Sequence, residues 1–456
     1  MTMVSASTEQ DETETSSALY AWFVVLAISL LQIGSHIDRQ IITLLVEPMR
    51  RDFGVNDTQV SLLLGFAFAL FYGVTAIPIG RLVDRFHRVR ILVIAVIFWS
   101  LATLWCMLSD SYWSLFVARM MVGLGEAALI PAGFSILSDY FRPGRIASAI
   151  SCVTGASFVG SGVALAFGGW VIDALPTSPT VVLPIVGEIR SWQLAFGFAS
   201  IPSFVILVLF AFVREPKRRG AAPAESHVTI RDILKYLASD KQLWIAIFVG
   251  MSFINTFQYG ITAWVPTFFM RTYGWTASEI GQIYGAGFII CGTLGTVSGG
   301  WLCDRLYDRI GRRAFVILPL ASAAIVAPII FVFAIAGNDT VSATLLFLLT
   351  YFGTISFGGA VGALPSLAPN RMRGQLVAAY MLLGTLIGQG GGPWIIAFFT
   401  DHVFGDPMLI RNSIASVSTS LLIGAVIVLF IGQRAIARHD AAAGAPGELV
   451  SRQHGH

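Results

Sequence analysis

Twelve long apolar runs, each nearly free of charged residues, are the feature that most limits what this chain can fold into. A helix needs about 20 residues to cross the roughly 30 Å hydrocarbon layer of a bilayer, and these runs are about that long. They lack the strict alternation of membrane β-strands, so they predict α-helices and exclude a barrel. They lie near 19–44, 58–80, 90–108, 112–138, 145–173, 192–213, 242–270, 278–303, 313–336, 341–366, 373–400 and 411–433.

The composition favours an all-α multi-pass membrane protein over a soluble enzyme, a nucleic-acid-binding protein or a disordered scaffold. Hydrophobic residues make up 55% of the 456 residues and charged residues only 12%, which is about half the charged share of a typical soluble domain. No basic tail suited to nucleic acid is present. The four cysteines and seven histidines form no ligand pattern, so we predict no metal site, no cofactor and no enzymatic activity.

Lysine and arginine are unevenly divided between the two sides of the predicted helices. When alternate loops are counted, 22 of the 29 cations fall on one side and five on the other, with Arg39 and Arg119 inside spans. Cations concentrate on the cytoplasmic side of membrane proteins. The count therefore predicts a multi-pass protein of a bacterial inner membrane with both termini in the cytoplasm.

The longest internal polar stretch, 214–241, divides the twelve runs into two sets of six. We predict a six-helix bundle over 19–213, a cytoplasmic linker, and a second six-helix bundle over 242–433. Cytoplasmic tails at 1–18 and 434–456 complete the chain.

Within the linker, apolar residues recur at helical spacing over 229–237, and charged residues lie between them. The pattern predicts a short amphipathic helix on the inner membrane surface. An ordinary solvated linker is the alternative. The apolar positions are Ile230, Ile233, Leu234 and Leu237.

A short motif occurs once in each half and relates the two halves. GRLVDR at 80–85 and GWLCDR at 300–305 share Gly, Leu, Asp and Arg at identical spacing, and more arginines follow each copy. The paired motifs resemble the signature of the major facilitator superfamily, and the span number, repeat and linker extend the resemblance over the whole chain. The resemblance implies two bundles that rock about a central cavity open alternately to each side.

The resemblance also implies that the repeated motif is a conformational latch for the outward-facing arrangement. We expect its glycines to permit close helix contact and its aspartates to pair with nearby arginines, for which Arg142, Arg145, Arg371 and Arg373 are candidates. The alternative is that these charges only fix the topology. The latch residues are Gly80, Asp84, Arg85, Arg88, Gly300, Asp304 and Arg305.

Four ionisable side chains lie well inside predicted spans: Asp38 and Arg39 in the first, Arg119 and Glu126 in the fourth. Each costs about 2.5–3.5 kcal/mol at the bilayer centre on insertion scales, so each needs a partner or a water-filled cavity. Helical rise places Asp38 and Arg119 at similar depth, and Glu126 roughly 10 Å deeper on the same face as Arg119. We therefore expect Asp38 and Arg119 to meet.

These charges lead to a hypothesis about proton coupling. A carboxylate beside a guanidinium stays ionised, whereas the same group without that partner in an apolar site is driven toward protonation. If rocking changes the distance, proton affinity differs between the two states, as coupling requires. We predict that Asp38 and Glu126 carry protons and that Arg119 is their switchable partner. A static ion-pair network that only orients helices is the alternative.

Several segments resemble the spinster family within the superfamily. They are Asp38-Arg39, the run RMMVGLGEAALIPAG at 119–133, the run TFQYGITAWVPTFF at 256–269, and the glycines before Pro393. Animal members are linked to export of sphingoid phosphates and lysophospholipids, so the resemblance implies an amphipathic or anionic lipid-like substrate. Span 5 lacks the Gly-Pro step common in antiporters of the superfamily, which leaves symport and antiport both open.

The fold implied by the resemblance lines its cavity with spans 1, 4, 7 and 10. Charges of the first half would then face an aromatic wall from the second, which suits an amphiphile with a polar head and an apolar tail. The predicted cavity residues are Arg39, Phe253, Asn255, Phe257, Tyr259, Trp264, Phe352 and Ser356.

Together these features predict a proton-coupled secondary active transporter of the spinster type that works by alternating access as a monomer. Its expected partners are a small molecule such as a lysolipid or sphingoid-like compound, protons and membrane lipids, with no nucleic acid. The alternatives are a proton symporter of sugars or organic acids and a multidrug-type exporter. No P-loop follows a predicted strand, so an ATP-driven motor is not expected.

Overall fold

The structure, a computed structural model, describes residues 3–176, 178–184, 187–218, 230–239, 241–367 and 372–442. The predicted latch partner Arg371 and the end of the predicted C-terminal tail, 443–456, lie outside these ranges. Within them the chain is almost entirely helical, as predicted.

Twelve helices of membrane-spanning length, α1 to α12, are present in the described part of the chain, as the apolar runs predict. One apolar segment, Ala277–Ile335, holds two of them, because the helix ends before Gly311, whose φ of +60° favours glycine. The bounds are Met3–Gln40 with a 3₁₀ extension Ile41–Leu44 for α1, Asp57–Arg85 for α2, Arg88–Met107 for α3, Tyr112–Tyr140 for α4, Pro143–Ala174 for α5, Leu194–Phe210 for α6, Lys241–Tyr273 for α7, 277–310 for α8, Ala314–Ile335 for α9, Asp339–Leu367 for α10, 373–404 for α11 and 407–442 for α12.

Three shorter elements connect these helices. A helix at Val46–Phe53 follows α1, and an antiparallel hairpin follows α5, with β1 at Thr180–Leu183 paired to β2 at Gly187–Arg190. Neither was predicted, because four-residue strands and a two-turn helix carry little periodic signal. A helix at Ile230–Ser239 occupies the linker where the amphipathic pattern lies.

The helices pack into two compact units. The first comprises Met1–Ala222 with Gly274–Ile289, and the second comprises Pro223–Tyr273 with Ile290–His456. We predicted all of α8 in the second bundle, whereas the first half of α8 groups with the first unit.

In the first unit α1 packs along α5 and α6, while α4 packs against α2 and α3. Its core joins aliphatic side chains of α1, such as Ile28 and Leu31, to Trp99 of α3 and Ile136 of α4. Large apolar side chains remain exposed on the outer faces, for example Leu101 and Val205. Exposed apolar faces of this extent are suited to lipid and not to water.

Close backbone contact between α5 and α8 explains why the first half of α8 belongs to this unit. A Cβ at Gly281 of α8 would overlap the Leu165 carbonyl oxygen, and one at Gly285 would press on the carbonyl oxygen of Gly162. Small residues let helices approach in membranes, where burial of apolar surface gives no driving force between helices. The span 5 glycines therefore include positions of close packing, such as Gly162.

In the second unit α7 packs against α11 and α12, and α9 packs against α10 and α12. The later part of α8 contacts α10, where glycine is again required: a Cβ at Gly299 would overlap the carbonyl oxygen of Ile355. The indole of Trp264 on α7 donates a 2.8 Å hydrogen bond to the Pro393 carbonyl on α11.

Gly281→Ala is expected to destabilise the protein, because its methyl group would overlap the Leu165 backbone. Overpacking of this kind costs about 1–3 kcal/mol, so the Tm in detergent should fall by several degrees. Gly155→Ala is the matched control, since a Cβ there would meet no atom of the described residues within 4 Å and alanine favours a helix. Equal Tm values for the two variants would contradict this account of the packing.

Candidate functional site

A break in α4 places one acidic side chain inside the first unit. The first part of α4 ends at Glu126, and the helix resumes after a two-residue turn. A Cβ at Gly123 would overlap the carbonyl oxygen of Phe68 on α2, and one at Gly125 would press on Trp99 of α3. The two glycines thus let α4 approach both neighbours closely and bring Glu126 into the core.

Glu126 is fully buried and makes an ion pair with Arg39 of α1. Its Oε2 accepts from Arg39 Nε at 2.6 Å and from the Ser35 hydroxyl at 2.6 Å. The Arg39 guanidinium also lies 4.5 Å from the ring centroid of Phe68 and 5.1 Å from that of Tyr72, both on α2, in the range of cation–π attraction. The Arg39 side chain keeps 18% of its surface exposed. Of the two ion-pair partners, only Arg39 is therefore accessible from outside the core.

Asp38 and Arg119 are also buried and lie next to each other, but not as a carboxylate–guanidinium pair. Arg119 Nη1 donates a 3.0 Å hydrogen bond to the backbone carbonyl of Asp38. The Asp38 side chain lies beside Thr103 and Cys106 of α3. Neither Asp38 carboxyl oxygen nor Arg119 Nε has a hydrogen-bond partner within the described ranges.

The structure therefore brings together all four charges singled out in the sequence but pairs them differently. Arg39, whose partner the sequence left open, takes Glu126, and Arg119 binds the main chain of α1. Successive side chains on a helix point about 100° apart, so Asp38 and Arg39 reach different neighbours. With two acids and two bases the cluster is electrically balanced when all four are ionised.

Sequence reasoning missed the neutral members of this cluster. Ser35 lies one turn before Arg39 on α1, so helical spacing offered a signal for it. Thr103, Phe68 and Tyr72 carry no such signal, because only the packing of α2 and α3 against α1 brings them to the charges.

The other predicted cavity residues lie in the second unit, and several are packing residues there. Trp264, Phe257 and Ser356 are buried, Trp264 bonds to α11 as described, and the Ser356 hydroxyl donates to the Gly353 carbonyl. Buried Asn255 lies against Gly384 and Gly388 of α11. Half-buried positions are Phe253, Tyr259 and Phe352.

The repeated motif lies within the last turns of α2 and α8. Among the described residues the expected close contact at its glycines is absent, because a Cβ at Gly80 or Gly300 would meet none of their atoms within 4 Å. The glycines that do permit close approach in α8 come earlier, at Gly295 and Gly299.

The charges of the motif are mostly exposed. Asp84 and Asp304 form no ion pair with another described residue, so the expected pairing of Asp84 with Arg142 or Arg145 is not found. The Arg305 guanidinium lies 4.6 Å from the ring centroid of Trp301 on its own helix.

Arg88, at the start of α3, is the exception and is buried at the arginine-rich end of the first unit. It forms ion pairs with Asp139 of α4 and, at 2.7 Å, with Glu215 at the start of the linker. It also donates to the carbonyl oxygens of Ser135 and Pro216. This single guanidinium therefore joins three chain segments.

Glu215 has a lowered pKa. Partial burial by itself would raise the pKa of its carboxyl group, but the hydrogen bond from Val89 N, at 2.9 Å, and the bonds from Arg88 outweigh it. These interactions require the ionised form, so they stabilise the folded protein only while Glu215 is deprotonated.

Comparison with known proteins identifies a family and several relatives. The family model for the Major Facilitator Superfamily matches residues 28–393. An MFS-type efflux pump of Mycolicibacterium smegmatis is 25% identical over 433 residues, which cover 93% of this chain and 96% of the pump. Protein spinster homolog 1 of Xenopus laevis is 24% identical over 426 residues, covering 89% of this chain and 78% of that protein.

A third relative and a solved structure extend the comparison. A probable 4-methylmuconolactone transporter of Cupriavidus pinatubonensis is 28% identical over 361 residues, with 77% of this chain and 78% of that protein covered. The crystal structure of a bacterial homolog of the human lysosomal transporter spinster superposes with a TM-score of 0.73 at 24% identity, over 91% of this chain and 96% of that one. This likeness shows a shared fold.

Glu215→Gln is expected to lower the Tm at neutral pH, because it removes the anion bound by Arg88 and Val89. The stabilisation is complete above the ordinary pKa of 4.5 and is lost as the pH falls through the lower value of the folded protein. The Tm difference from wild type should therefore shrink on acidification. Glu188→Gln, at an exposed hairpin position, serves as control. A difference that persists undiminished in acid would contradict the assignment.

Proposed function

We propose that this chain, which belongs to the Major Facilitator Superfamily and is therefore a multi-pass membrane transporter and not an enzyme, couples the movement of its small-molecule substrate to protons. It is a secondary transporter of the spinster type that works by alternating access, as a monomer in the bacterial inner membrane. The excess of arginine on one side supports an orientation with both termini in the cytoplasm.

The buried charge cluster is the observation that carries the proposal. Four ionisable side chains in the core of the first unit are expensive unless they are paired or have a function. Glu126 is held by Arg39, whereas the Asp38 carboxyl group has no hydrogen-bond donor among the described residues. A buried carboxyl group without donors is stable as the neutral acid, so a proton can reside in this cluster.

Proton binding changes what the arginines must pair with. Protonation of Glu126 would leave the Arg39 guanidinium without its anion. Arg39 is the partly exposed member of the cluster and lies on the aromatic rings of Phe68 and Tyr72. An anionic or polar substrate head is the natural replacement there, and the two rings offer an apolar surface beside it. Competition between Glu126 and substrate for Arg39 would couple the two binding events.

An amphipathic or anionic lipid-like molecule is our first candidate substrate. The spinster homologs among the relatives support it, as does the combination of a cation with aromatic rings at Arg39. The Mycolicibacterium relative is an efflux pump, which is compatible with export.

A small organic acid is the second candidate, and a separate observation favours it. Besides the 4-methylmuconolactone transporter, the relatives include a cis,cis-muconate transport protein of Acinetobacter baylyi and a 4-hydroxybenzoate transporter of Pseudomonas aeruginosa. A carboxylate beside a flat ring or diene would also fit Arg39 with Phe68 and Tyr72.

Glu126→Gln and Asp38→Asn are expected to abolish substrate accumulation driven by a pH gradient while leaving substrate exchange intact, because an amide cannot release a proton. Wild-type protein in liposomes, with the membrane potential clamped at zero, should concentrate substrate about tenfold per coupled proton for a gradient of one pH unit. Accumulation on the alkaline side would indicate symport, and accumulation on the acidic side antiport.

Asp173→Asn is the matched control for these variants, since Asp173 is an exposed carboxylate of the same unit. It should accumulate substrate as wild type does. Folded Glu126→Gln and Asp38→Asn proteins that both still respond to the pH gradient would refute proton coupling through this cluster.

Chain length separates the two substrate candidates. For a lipid-like substrate, lysophospholipids of increasing acyl length should compete with transport about fourfold better per added methylene until the apolar surface is covered, since each buried methylene contributes about 0.8 kcal/mol. For an organic acid, 4-hydroxybenzoate and muconate should compete and acyl length should have no effect. Competition assays in the same liposomes provide the measurement.

A further inference from the structure

Two guanidiniums of the charge cluster share one aromatic ring. The Phe68 ring on α2 is fully buried, and its centroid lies 4.5 Å from the Arg39 guanidinium and 5.9 Å from that of Arg119. Both distances are within the range of cation–π attraction, which is stronger where water is excluded. Phe68 therefore attracts both cations of the cluster in addition to filling space in the core.

A second ring on α2 enlarges this aromatic surface. The Tyr72 ring, one turn after Phe68, stacks on it with the two centroids 5.3 Å apart and the two planes 23° apart. The Arg39 guanidinium lies 5.1 Å from the Tyr72 centroid, so it is within reach of both rings at once. Phe68 and Tyr72, called the ring pair, together form an apolar surface against which the charge of Arg39 is held.

Backbone contact fixes the ring pair relative to Glu126. A Cβ at Gly123 of α4 would overlap the Phe68 carbonyl oxygen, so α2 and α4 touch at this residue. Glu126 follows three residues later on α4, and its carboxylate accepts from Arg39 Nε at 2.6 Å. Arg39 is therefore bound both by an anion, which a proton neutralises, and by ring faces, which take up no proton.

Other ionisable groups near Arg39 come from all four helices of the cluster. The Arg39 ion pair is with Glu126, and Arg119 donates to the Asp38 carbonyl at 3.0 Å. Protonation of Glu126 thus acts on a direct partner of Arg39. The groups are His36 and Asp38 of α1, Tyr72 of α2, Cys106 of α3, and Arg119 and Glu126 of α4.

We infer that Phe68 is a positioning residue, and that the ring pair keeps the Arg39 guanidinium in place when Glu126 is protonated. The inference rests on the proposed proton coupling and deepens it, because it assigns Arg39 a binding place between its release by the acid and its capture of an anionic substrate group. A guanidinium kept there is already ordered, so less binding free energy is lost when the anion arrives. The ring pair itself exchanges no proton and forms no covalent bond.

Arginine side-chain NMR tests this contact without any transport measurement. In protein with isotope-labelled arginine, the Nε–H signal that disappears in Arg39→Lys belongs to Arg39. Glu126→Gln imitates the protonated acid, and in this variant the Arg39 signal should keep the upfield shift that a proton gains over a ring face. Adding Phe68→Leu should remove most of that shift. An Arg39 signal that has already lost its ring shift in Glu126→Gln alone would overturn the inference.

Fluorinated phenylalanine at position 68 tests the role of the ring in substrate binding. It keeps the shape of the side chain and withdraws electron density from the ring face, so it weakens cation–π attraction stepwise. In exchange assays with 4-hydroxybenzoate or lysophosphatidylglycerol, whichever the competition assays select, the half-saturation concentration should rise with each fluorine. The rise should reach about fivefold for the trifluorinated ring, the effect of one lost cation–π contact, with little change in maximal rate.

Fluorination of Phe66, an exposed residue of the same helix, is the matched control and should leave exchange unchanged. Equal half-saturation concentrations across the Phe68 series would overturn the inference. Wild-type transport that ignores pH would instead refute the proposed coupling, and the Arg39 signal in Glu126→Gln would still decide whether the ring pair holds the guanidinium.

Discussion

The ion pair between Arg39 and Glu126 is the interaction on which the rest of the first unit depends. A carboxylate without solvent exposure is tolerated only because a guanidinium and the Ser35 hydroxyl both donate to it at 2.6 Å. The same guanidinium rests on the rings of α2, so one residue connects α1, α2 and α4. Removing either partner would leave a charge in an apolar core.

Glycine makes this arrangement geometrically possible. Gly123 and Gly125 let α4 approach α2 and α3 until Glu126 is enclosed, and the α4 turn follows directly after it. Membrane helices gain little from apolar contact as such, and close approach instead gains van der Waals contacts. The same device joins α5 to the first part of α8, through Gly281 and Gly285. The burial of Glu126 and the packing of α5 on α8 therefore both depend on glycine.

At the arginine-rich end, one buried guanidinium forms ion pairs, whereas we expected these from the aspartates of the repeated motif. Arg88 bridges α3, α4 and the start of the linker, whereas Asp84 and Asp304 stay exposed. Arg88 and Asp84 are both charged residues that lie just after the second apolar run. The sequence therefore does not show which of them is buried. Of the two, only Arg88 begins the next helix, and its side chain is buried in the unit. There it donates a hydrogen bond to Glu215 at the start of the linker.

The sequence by itself determined the twelve helices and the identities of the four buried charges, because hydropathy and the cost of burying charge are properties of local segments. Only the tertiary structure decided which charge pairs with which, that Thr103 lies beside Asp38, and that Trp264 and Phe257 are packed inside the second unit. Those outcomes depend on the rotation of each helix about its axis and on how closely backbones approach at glycine. Neither quantity is encoded in any single apolar run.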